Sequence, residues 1–117
     1  MLLCLIEPDK SLREALTLNL VTTGGFEVQH YNGDDKKTQK LQYAAFLVNR
    51  SRLEQLQLKA PPDCPIIVYQ TPSSYLNEHC SVKRVASDTY EIQFSLRALP
   101  GFANAIWQIL NKSNGPF

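Results

Sequence analysis

The sequence predicts an α/β domain built as a three-layer, doubly wound parallel sheet of five strands, and three observations carry that prediction. Short apolar runs recur along the chain as Leu2 to Ile6, Tyr43 to Val48 and Pro65 to Tyr69, each the pattern of a strand covered on both faces. Helix-period stripes alternate with them, most clearly Leu99, Phe102, Ala103, Ile106, Trp107 and Leu110. The chain has 117 residues, 44% of them hydrophobic, enough for a single domain with its own core.

The elements follow in order. Leu2 to Ile6 is the first strand, closed by Glu7 and Pro8. Asp9 is placed to cap a helix whose face is Leu12, Ala15, Leu16 and Leu20. Thr23-Gly24-Gly25 ends that helix, because glycine accepts the left-handed backbone a helix terminus needs. Phe26 to Tyr31 alternates and reads as the second strand; His30, alternating with Phe26 and Val28, reads as a structural strand residue rather than a base. Asn32 to Asp35 forms a turn before a short polar segment of one or two helical turns.

The third strand stops at Asn49, and Ser51 to Leu58 is a weak helix that Ala60-Pro61-Pro62-Asp63 breaks. The fourth strand is Pro65 to Tyr69. Pro72-Ser73-Ser74 opens a further helix, but Tyr75 to Arg84 has a poor apolar stripe, so a short or irregular segment is expected there. Tyr90 to Phe94 is the fifth strand, ahead of the helix that begins at Leu99. The domain is expected to span residues 1–112, with 113–117 a tail or the start of a linker.

Several function classes fall away on composition. Twelve Lys and Arg against eleven Asp and Glu leave a net charge of +1, so no global field draws in nucleic acid or an anionic membrane. The apolar runs are too short to span a bilayer, and the N-terminus lacks the basic start of a secretory signal, so a cytoplasmic protein is expected. Three cysteines, Cys4, Cys64 and Cys80, form no C-x-x-C pair. His79-Cys80 lacks two further ligands at sensible spacing, so no metal site is expected. Arg50 and Arg52 read as solvated side chains rather than phosphate ligands. Without a nucleotide-binding glycine loop, a nucleophile elbow or a Ser/His/Asp set, no enzyme and no cofactor are expected.

In a parallel sheet of this kind ligands and chemistry gather at the carboxyl ends of the strands. Those ends carry Glu7, Asn49, Gln70 and Gln93. Here the opening "LCLIEPDKSLREALTLNL" resembles the start of a receiver domain of the bacterial response regulators, the CheY-like or flavodoxin-like signalling module of two-component phosphorelays. "YAAFLVN", "CPIIVYQT" and "ASDTYEIQF" are similar to that family's third, fourth and last strands. The stretch from Asn49 to Pro65 is shorter than the family's, which truncates the third helix. The resemblance implies the sheet order 2-1-3-4-5.

The resemblance also implies a degenerate phosphorylation site. Its acidic pair becomes Glu7 and Pro8, its phosphoacceptor Asn49, its hydroxyl position Gln70, and its lysine position Gln93, with Phe94 where a proline would follow. Tyr90 matches the switch aromatic. A carboxamide is no nucleophile, and one carboxylate is a poor cage for Mg²⁺. Asn49 with Gln93 reads as a neutral version of the family's Asp with Lys. The expectation is therefore a pseudo-receiver that regulates without phosphorylation: the N-terminal part of a transcription regulator that meets DNA only through a downstream output domain. It is expected to dimerise or dock a protein on its last strand and last helix, where Phe102, Ala105 and Ile109 widen the apolar stripe. The competing account of that width is packing on the first helix, where Leu18 and Val21 leave their own stripe. A second functional class is a small-ligand sensor that uses the vacated acidic pocket.

Overall fold

The computed structural model describes residues 1–31, 43–53, 64–70, 81–86 and 88–114. The strands are β1 (Leu2–Ile6), β2 (Glu27–His30), β3 (Ala45–Asn49), β4 (Ile66–Tyr69), β5 (Ser81–Ala86) and β6 (Thr89–Gln93). The helices are α1 (Lys10–Thr22) and α2 (Phe102–Asn114), with 3₁₀ turns at Arg50–Arg52 and Leu96–Gly101. The expected turn at Asn32 to Asp35, the helix beyond Leu53, the Pro72 segment and the His79-Cys80 pair lie outside the described residues.

The domain is α/β, but its sheet is mixed and six-stranded, in the order β2-β1-β3-β4-β6-β5. Count and order both differ from the five-stranded parallel expectation. The neighbours β1–β2, β1–β3, β3–β4 and β4–β6 are all parallel. The extra strand is β5, antiparallel to β6 at the sheet's end, in the stretch expected to be short or irregular. All six of its residues are exposed, so no burial pattern marks it in the sequence. The register with β6 shifts between Arg84 and Ala86, the signature of a bulge at Val85.

Successive strand residues point to opposite faces, and two cores result. Leu3, Leu5, Ala45, Leu47, Ile67, Tyr69, Tyr90 and Ile92 join the buried faces of α1 and α2. Cys4, Ile6, Phe46, Val48, Cys64 and Val68 form a second core, with Tyr31, Tyr43, Leu53 and Ile66 packed against it. Burial pushes the Cys4 thiol up to about 12 and the Cys64 thiol to about 11, so both stay protonated as packing groups.

Helix α1 starts as its cap predicts: the Asp9 carboxylate accepts from the Ser11 N–H at 3.0 Å. Its C-terminal end is tied to α2. The Asn19 Oδ1 accepts from the Ala103 N–H at 3.1 Å, satisfying a first-turn donor of α2 that has no partner within its own helix. The Trp107 indole N–H donates to the Gly24 carbonyl at 2.7 Å, and its ring stacks on Phe26 with centroids 4.5 Å apart. Leu99 lies in the 3₁₀ turn that holds Pro100, so the apolar period begins ahead of the α-helix.

Phe102, Ala105 and Ile109, expected at a dimer interface, are instead core residues, with exposures of 0%, 5% and 1%. The exposed positions of α2 from Phe102 to Asn111 are Asn104, Gln108 and Asn111. The wide apolar arc is absorbed within the chain itself, whose main core includes all three residues. It is not absorbed by Leu18 and Val21, which are exposed.

Gly24 sits where α1, Phe26 and α2 converge. A Cβ there would lie 2.7 Å from Phe26 Cδ2, 2.8 Å from the Leu20 carbonyl oxygen and 2.9 Å from Ala103 Cβ. Gly24→Ala should cost about 1–3 kcal/mol, since a helix carbonyl does not yield cheaply. Gly25, with φ +70° and open space around it, should lose less on the same change, about 1 kcal/mol. Urea midpoints of the two variants check this ranking, and the reverse order would mean that α1 and α2 separate readily.

Candidate functional site

Because β1, β3 and β4 are parallel, their last residues come out at one sheet edge. Ile6 pairs with Val48, Val48 with Val68, and Asn49 with Tyr69. Glu7 follows Ile6 and so lies beside Asn49, as expected for two residues ending buried strands that run the same way. Glu7 and Asn49 are each 4% exposed and Tyr69 is 0% exposed.

The three side chains form a buried hydrogen-bonded set. Glu7 Oε1 accepts from Asn49 Nδ2 at 2.8 Å and from the Tyr69 hydroxyl at 2.8 Å. Glu7 Oε2 accepts from the Asp9 N–H at 2.9 Å. Asn49 Oδ1 accepts from the Ser51 N–H and the Ser51 hydroxyl, each at 3.1 Å, so Asn49 also caps the 3₁₀ turn that follows β3. Arg13 donates to the Glu7 backbone carbonyl at 3.3 Å. Burial foremost, and then the Glu7 carboxylate, hold the Tyr69 phenol far above its usual range, which keeps it a donor.

Tyr69 was not among the expected site residues; the position after it, Gln70, was. The alternation of the strand decides between them. Tyr69 shares the face of its register partner Asn49, whereas Gln70 is one residue further and half-buried. A tyrosine inside a buried aliphatic strand is itself a signal, since its hydroxyl needs a partner in the core. Its ring lies 6.3 Å from that of Phe94 and 5.9 Å from that of Phe102, and the latter two are 4.9 Å apart. The Tyr69 ring thus packs in an aromatic cluster with Phe94 and Phe102 while its hydroxyl reaches Glu7.

The remaining expected residues fall elsewhere. Pro8 is exposed. Gln93 is exposed at the end of β6, opposite Ser81. Tyr90 is buried in the main core. No protein-family model matches this chain, and no curated protein matches its sequence.

The donor set does not suit a hard cation. Mg²⁺ needs oxygen ligands with free lone pairs, and here an amide and a phenol donate to the Glu7 oxygen that faces the site. Among the described residues, no three His, Cys, Asp or Glu side chains come together. Nor does any described helix have the length and apolarity to cross a membrane.

His30 lies beside α1, its Nε2 2.9 Å from Thr17 Oγ1. The Thr17 hydroxyl donates to the Arg13 carbonyl at 2.7 Å, so the ring must donate to Thr17 through an Nε2–H. Desolvation, and then the Arg13 charge, lower the His30 pKa and favour this neutral ring.

Tyr69→Phe keeps the ring and removes the donor. Glu7 then stays buried with fewer hydrogen bonds, and the domain should lose about 1–3 kcal/mol. Chemical denaturation reads this directly; a loss within error of zero would mean that the hydroxyl contributes nothing to holding Glu7.

Proposed function

We propose that this chain is a receiver-like signalling module, of the doubly wound CheY-like kind, whose acceptor site is locked by hydrogen bonds instead of switched by phosphorylation. One observation carries the reading: at the positions of the acidic residue and the phosphoacceptor stand Glu7 and Asn49, bonded to each other at 2.8 Å, with the Tyr69 hydroxyl donating to the same Glu7 oxygen. An amide offers no nucleophile for a phosphoryl donor. The acid beside it already accepts three hydrogen bonds, two of them at the oxygen that faces Asn49. Such a module regulates by the surface it presents, as a cytoplasmic protein-binding domain of a transcription regulator, and reaches DNA through an output domain that it controls.

Incubation with acetyl phosphate or beryllofluoride and Mg²⁺ tests this. The intact mass and the amide spectrum should be unchanged. A phosphate adduct that requires Mg²⁺ would overturn the reading.

A further inference from the structure

We draw no further inference here: the strongest candidate, the surface patch on α1 where Leu18 and Val21 are exposed, carries nothing because nothing in the structure shows what covers it.

Discussion

Ile109→Asp should leave the domain largely unfolded. Ile109 is 1% exposed within the main core, and the change both removes an aliphatic side chain and strands a carboxylate there. Truncation of a buried isoleucine alone costs about 2–5 kcal/mol. An ionised group without a partner adds several more, so the total reaches the whole stability of a typical domain, about 5–15 kcal/mol. Were Ile109 part of an exposed dimer face, the same variant would be a folded monomer. Circular dichroism with sedimentation separates the two: loss of the cooperative transition is expected, whereas a well-folded monomer derived from a dimer would restore the interface account. Ile109→Val, which removes one methylene, should remain folded and lose about 0.5–1.5 kcal/mol.

That contrast shows what periodicity can and cannot reveal. The stripe on α2 is legible because the residues facing a core recur with the helix. Its width does not say what covers it, because the chain's own core takes up apolar surface as well as a partner can. The strands β1, β3 and β4 were legible for a related reason: burial on both faces leaves an unbroken apolar run. β5 left no such trace, since none of its residues is buried and its bulge breaks the alternation. At the site, Glu7 and Asn49 could be read because each ends a buried run with a polar residue. Tyr69 is not legible in the same way, because its hydroxyl is one atom on an otherwise apolar strand and only the register with β3 places it on the face of Asn49.

Asn49→Asp should be the most pH-sensitive change in the molecule. The introduced carboxyl replaces the amide that donates to Glu7 Oε1 at 2.8 Å, so two buried acids come within hydrogen-bonding distance. Both cannot ionise there, and the folded variant keeps a proton that the unfolded chain releases above about pH 4. The folded pKa of the introduced carboxyl is thus raised above its unfolded value. Its stabilising share is fully present below about pH 4 and is lost as pH rises through the raised folded value. The deficit against the wild type should be modest at pH 5 and grow to about 3–5 kcal/mol near pH 8. Asn49→Ala, which loses the donor without adding an acid, should show a deficit with far less dependence on pH. Urea midpoints of both variants at the two pH values check the sign, and a deficit that shrinks as pH rises would mean that residue 49 does not face the Glu7 carboxylate. On the proposed receiver reading, the introduced aspartate has the chemical type of a phosphoacceptor, yet acetyl phosphate should still leave the variant unmodified. The new acid shares its proton with Glu7, the Tyr69 hydroxyl still occupies Glu7 Oε1, and Pro8 and Gln93 supply neither a second metal ligand nor a cation for a phosphoryl group in transfer.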